Sequence, residues 1–264
     1  MRARVVVVAL LIAAGCAAPR PVFPPDPAPG TLFRSLYLPQ GTGPFPAVVL
    51  LHTCAGVLDH VVHMAHTLRT AGYAALVVDS FRPRGVQDNC NNWAVSVDEV
   101  AMDAFAALRH LRGRPGIDGD RIVVIGFSYG ASAALRVASS RYQRAAGMPG
   151  FRAVVAVYPS CVHPQSDWPL ADPATRERQT NLYGDVETPT LILIGDADVD
   201  PPGVARYCAS RVAELRSAGR PVDIKVYPGA GHGFDQSFRY DKRTTEDAVK
   251  TSLAFYERHL GAIR

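Results

Sequence analysis

The chain has 264 residues, 48% of them apolar and 20% charged, with a formal net charge of +4. That balance suits a globular protein with a sizeable core and excludes a disordered or fibrous chain. The charge is small and no basic run appears, so the sequence carries no footprint for nucleic acid.

Residues 1–16 read as a targeting leader. Arg2 and Arg4 precede an apolar stretch over residues 5–14 that is too short to span a bilayer. It ends in Ala13-Ala14-Gly15-Cys16, which resembles the lipobox of bacterial lipoprotein signals, with Ala13 where leucine is usual. A lipidated leader and an ordinary secretory one both direct the chain out of the cytosol. Residues 17–30 contain six prolines and favour an extended, semi-rigid spacer. The expected organisation is a lipoprotein-type signal over 1–16, a Pro-rich linker over 17–30 and one folded domain over 31–264. The destination is the bacterial cell envelope or periplasm, with membrane association only through a lipid on Cys16. Four further cysteines remain, Cys54, Cys90, Cys161 and Cys208. An even number in an exported chain points to disulfides, with three pairings open.

After the linker, strand-like runs alternate with helical patterns. Residues 32–38 read as an edge strand, and 47–51 as a buried strand followed by a helix over 61–70 and a turn at Gly72. Residues 74–78 form the next strand. An amphipathic helix over 97–111 is stopped by Gly113 and Pro115. Strands follow over 122–125, 153–157 and 190–194, then a helix over 204–217, a strand over 222–227 and a closing helix over 246–259. This alternation predicts an α/β fold, with a mostly parallel central sheet covered by helices on both faces.

In such sheets ligands bind beyond the carboxyl ends of the strands. There Gly126-Phe127-Ser128-Tyr129-Gly130 fits G-x-S-x-G, directly after one apolar strand and directly before a helix. After the strand over 190–194 come Asp196, Asp198 and Asp200, and after the last strand comes Gly229-Ala230-Gly231-His232-Gly233. Serine, acid and histidine in that chain order are the order of the α/β-hydrolase fold. Ser128 is the candidate nucleophile, and His232 the base that a serine hydroxyl needs. Asp198 is the first choice for the acid that orients the imidazole, with Asp200 second. An oxyanion hole takes one backbone N–H from the residue after the nucleophile, Tyr129, and one from the loop after strand 47–51, where Thr53 and Cys54 are the candidates. His60, His63 and His66 form no complete metal set with a carboxylate or cysteine, and phosphate-loop and dinucleotide patterns are absent, so no metal or cofactor is expected.

Over roughly residues 32–260 the chain resembles the dienelactone hydrolase family of α/β-hydrolases. VVLLHTCAG, LVVDSFRPRG, RIVVIGFSYGASAAL, LILIGDADVDPP and GAGHGFDQ carry the likeness. It looks most like an exported branch with extra cysteines. The enzymes that name the family use a cysteine where this chain has Ser128, and a glutamate where it has Thr53. The resemblance implies an α/β-hydrolase fold and a serine hydrolase acting through a Ser128 acyl-enzyme on small or medium esters or lactones. The neighbouring strands of that fold imply the disulfides Cys54–Cys90 and Cys161–Cys208. Arg82, or Arg84 beside it, falls near where relatives bind a substrate carboxylate. Residues 162–187 lack a clear period and read as a partial lid, with Trp168 or Tyr183 lining a pocket. Two other readings are a peptidase or amidase of the same fold and a non-catalytic envelope binding protein.

Overall fold

The computed structural model describes residues 32–162 and 180–263; the expected leader with Cys16, the linker, and Trp168 lie outside them. Seven strands form one sheet: β1 (Phe33–Tyr37), β2 (Phe45–Leu51), β3 (Ala74–Val78), β4 (Ile117–Phe127), β5 (Val154–Val157), β6 (Thr190–Gly195) and β7 (Val222–Tyr227). Their order across the sheet is β1-β3-β2-β4-β5-β6-β7. β1 pairs antiparallel at the edge, and every other pair is parallel.

The central strands are continuous apolar runs because both of their faces are covered. Ala47, Val49 and Leu51 pack into one core cluster, while Val48 and Leu50 pack into the other. The first cluster takes the apolar stripes of α2 (Val97–Arg112), α3 (Tyr129–Val137) and α5 (Val204–Ser217). The second takes those of α1 (Asp59–Thr70) and α6 (Lys242–Leu260). A short helix, α4 (Ser140–Ala146), follows α3. This is the α/β arrangement expected, with helices on both faces.

Three elements depart from expectation by more than two residues. β4 begins at Ile117 rather than residue 122, because Phe45 pairs with Ile117 before a register shift. α6 begins at Lys242 rather than 246, since the Asp241 side chain accepts from the Thr244 N–H and caps the helix there. The seven residues of α4 are too few to show a helical period.

The buried base of α3 carries an ion pair. Arg136, 1% exposed, meets Asp98 at the start of α2, and the Tyr142 hydroxyl donates to the same carboxylate. The Arg136 Nε donates to Asn181 Oδ1 at 2.9 Å. Burial alone would make these charges unstable, so each is held by a partner.

Candidate active site

Ser128 sits where β4 turns into α3, with φ 52° and ψ −110°. A left-handed serine is strained, and such strain concentrates where the surrounding structure enforces it. The enforcement is visible in the two glycines of the motif. A Cβ on Gly126 would lie 2.1 Å from the Gly130 carbonyl, and one on Gly130 would lie 2.5 Å from the carbonyls of Leu51 and His52. Only glycine allows strand, turn and helix to approach this closely. The Ser128 N–H donates to the Val157 carbonyl at 3.0 Å, and the Gly130 N–H to the His52 carbonyl at 2.9 Å. Tyr129 is the first residue of α3, so its N–H has no intrahelical partner.

The Ser128 hydroxyl is 2.9 Å from His232 Nε2, and His232 Nδ1 is 2.9 Å from Asp198 Oδ2. Asp198 is 2% exposed. Its other oxygen accepts the Asp200 N–H at 2.9 Å. With Nδ1–H donating to the carboxylate, Nε2 keeps the lone pair that accepts from the serine. Asp200, the second choice for the acid, does not reach Nδ1; its Oδ2 lies 3.8 Å from Nε2.

The acid and histidine loops are laced together. Asp196 Oδ1 accepts the Gly229 N–H at 2.7 Å, and the Ala197 N–H donates to the Ala230 carbonyl at 3.1 Å. The Tyr158 ring meets the His232 ring edge-on, with centroids 4.9 Å apart. Its hydroxyl donates to Asp235 Oδ1 at 2.6 Å. Burial pushes the Asp235 carboxyl up to about 6.

The loop after β2 carries both remaining oxyanion candidates. The Ser80 N–H donates to His52 Nε2 at 3.0 Å, so Nδ1–H is left to donate to the Thr53 carbonyl at 2.8 Å. Burial holds His52 below the usual imidazole range, which favours the neutral ring that this tautomer requires. The Gly56 N–H also reaches the Thr53 carbonyl, at 3.1 Å. Cys54 forms the disulfide with Cys90, and its carbonyl accepts the Asn89 N–H at 2.8 Å. Cys161 forms the other disulfide with Cys208 at the β5–α5 end. Both pairings are those the family resemblance implied, and two disulfides point to an exported protein. No helix among the described residues is long and apolar enough to cross a membrane.

Arg82 and Arg84 separate in role. Arg84 makes a two-point contact with buried Asp103, at 2.8 and 2.9 Å. The Arg82 side chain is 67% exposed and 3.8 Å from Asp79. With Gly85, Val86 and Gln87 it lines a surface cleft of about 480 Å³. Tyr183 is fully buried, tilted against Tyr142 at 5.8 Å, with the Arg141 guanidinium over its ring. No group of three metal-ligating side chains occurs among the described residues. His60 is buried edge-on against Phe127, and His66 meets the Tyr37 ring.

Two aromatic residues to which the sequence assigned no role stand close to the site, Tyr158 and Trp93. Both have positive φ, 42° and 50°. Trp93 is 60% exposed, its ring 5.6 Å from that of Tyr129. Asn89 clamps the loop that presents it, bonding both the N–H and the carbonyl of Val95. The available signal was a polar NCNN run leading to a lone tryptophan just before the Ser96 and Glu99 capping box.

A profile of the dienelactone hydrolase family matches residues 34–260. Among curated proteins, one named as a carboxymethylenebutenolidase from Methylorubrum extorquens is 28% identical over 225 residues, 81% of this chain and 72% of that one. A solved dienelactone hydrolase of Klebsiella pneumoniae superposes with a TM-score of 0.65 at 22% identity, covering 83% of this chain and 89% of that one. Thermogutta terrifontis esterase 2, in a form phosphorylated by paraoxon, also gives 0.65, at 16% identity and with 86% and 90% covered.

Proposed function

The chain belongs to the dienelactone hydrolase family, and from that premise we propose that it is an exported serine hydrolase of small or medium carboxylic esters or lactones, anchored by a lipid on Cys16. The observation that carries the reading is the hydrogen-bonded series Ser128, His232 and Asp198, with 2.9 Å at each link. In this mechanism His232 Nε2 takes the Ser128 proton as Oγ attacks the acyl carbon. Asp198 orients the imidazole and stabilises its charged form. The carbonyl oxygen becomes an oxyanion facing the N–H of Tyr129 and that of Thr53 or Cys54. Nε2–H then protonates the departing alcohol, leaving an acyl-enzyme on Ser128. Water, deprotonated by the same nitrogen, attacks that ester and releases the acid. A lactone follows the same steps, its alcohol staying attached to the acyl chain. Arg82 and Trp168 are proposed substrate contacts, and the disulfides support the exported setting.

Hydrolysis of p-nitrophenyl esters from acetate to octanoate tests the reading. We expect activity highest on the shorter chains and lowered by about 10⁴-fold or more in Ser128→Ala and His232→Ala. Retained hydrolysis in both folded variants would overturn it.

A further inference from the structure

The two carboxylates near His232 address opposite edges of the ring. Asp198 is buried and meets Nδ1. Asp200 has a side chain 75% exposed, and its Oδ2 lies 3.8 Å from Nε2, the nitrogen that bonds Ser128. Its carboxylate is therefore no farther from the Ser128 hydroxyl than those two short distances combined. In any reaction through Ser128, Nε2 hands its proton to the departing oxygen, so the alcohol half of the substrate is the part that faces Asp200.

Charge balance makes this carboxylate matter. The imidazolium that forms during the reaction is balanced by Asp198. Among the described residues no lysine or arginine forms an ion pair with Asp200. Arg239, in the histidine loop, donates to the His232 main-chain carbonyl at 3.3 Å and lies over the Phe238 ring. Among the described residues, Asp200 thus has no lysine or arginine ion pair to offset its charge.

We propose, resting on the serine-hydrolase reading, that Asp200 is a specificity-determining residue favouring esters of cationic alcohols and disfavouring those whose alcohol half bears an anion. Between unit charges about 6 Å apart in a largely solvated setting, Coulomb's law changes rates roughly threefold to tenfold per substrate charge. Salt weakens the effect, because the carboxylate is exposed.

The test uses three acetate esters of similar size: acetylcholine, neutral 3,3-dimethylbutyl acetate, and the anionic acetate ester of isethionate. At low salt, kcat/KM in the wild type is expected to fall in that order. Asp200→Asn keeps the shape and the N–H bond to Asp198. It should narrow the cationic-to-anionic ratio about tenfold or more. Raising the ionic strength should narrow it in the wild type and much less in the variant. A ratio that Asp200→Asn leaves within twofold of wild type, or a wild type that prefers the anionic ester, would overturn the proposal alone. Hydrolysis surviving in Ser128→Ala would overturn the serine reading and this proposal with it.

Discussion

Ser128 and His232 meet at 2.9 Å but are held there by different means. On the serine side the backbone does the holding: Gly126 and Gly130 pack against main-chain carbonyls too closely for any Cβ, and the turn between them has one shape. On the histidine side the backbone also approaches closely at Gly195, where a Cβ would lie 1.9 Å from the Ala230 carbonyl, but side chains orient the ring. Tyr158 and Asp198 hold the ring, and Asp196 ties the loop through the Gly229 N–H. The loop has room at Gly231, where a Cβ would meet nothing within 4 Å. A nucleophile must sit in one place at the end of a sheet, whereas its base needs one face fixed and one open to the leaving group. The first can therefore be inflexible, and the second is where the specificity charge proposed at Asp200 can be placed.

The sharpest way to break this contrast is one methyl group on each side. Gly126→Ala should lose about 4 kcal/mol or more, because the clash is with backbone and cannot be relieved by a rotamer change. Gly231→Ala should stay within about 0.5 kcal/mol of wild type. Urea melts of both variants check it, and equal losses would refute the distinction.

The disulfides sharpen it at a smaller scale. Cys54–Cys90 closes 36 residues and braces the proposed oxyanion loop; Cys161–Cys208 closes 47 and ties β5 to α5. Replacing either pair with serine should lower stability by about 2–4 kcal/mol. Only the first should also lower kcat, by roughly tenfold, through a loosened oxyanion donor. Stability and kcat measured on the two double variants separate these effects.

The smallest effect is on pH dependence. With its carboxyl at about 6, folded Asp235 binds a proton more tightly than the unfolded chain does. Its contribution to stability is therefore fully present only below the unfolded value of 3.8 and is lost as pH rises through about 6, roughly 2 kcal/mol of it between pH 4 and 6. His60, which burial lowers to about 4, has the opposite sign and destabilises the fold as pH falls from about 6.5 to 4. Asp235→Asn leaves the His60 effect in place. The stability difference between wild type and this variant should thus shift by about 2 kcal/mol between pH 4 and 7.5 in favour of the variant.

Much of this architecture was legible in the residues. β3, α5 and β7 lie where apolar periodicity predicts them, because buried strands and amphipathic helices leave direct patterns. Ser128, Asp198 and His232 stand at strand ends, in the order that brings them together here. What stayed hidden depends on the path of the chain rather than on residue type. The first turns of β4, through Asp118, Gly119 and Asp120, have no apolar run to announce a strand. The left-handed backbones of Tyr158 and Trp93 are foreign to aromatic residues and arise from packing around them. Which of Asp198 and Asp200 reaches Nδ1 follows from the loop geometry, in which the Asp200 N–H turns back onto Asp198.

The central claim is that Ser128 is an activated nucleophile. Its most direct test is intact mass and peptide mapping of the oxidised, folded protein after a fluorophosphonate, with Ser128→Ala and His232→Ala alongside. A single adduct on Ser128 is expected, absent in the first variant and greatly slowed in the second. No adduct on the wild type, or one on a different residue, would contradict it.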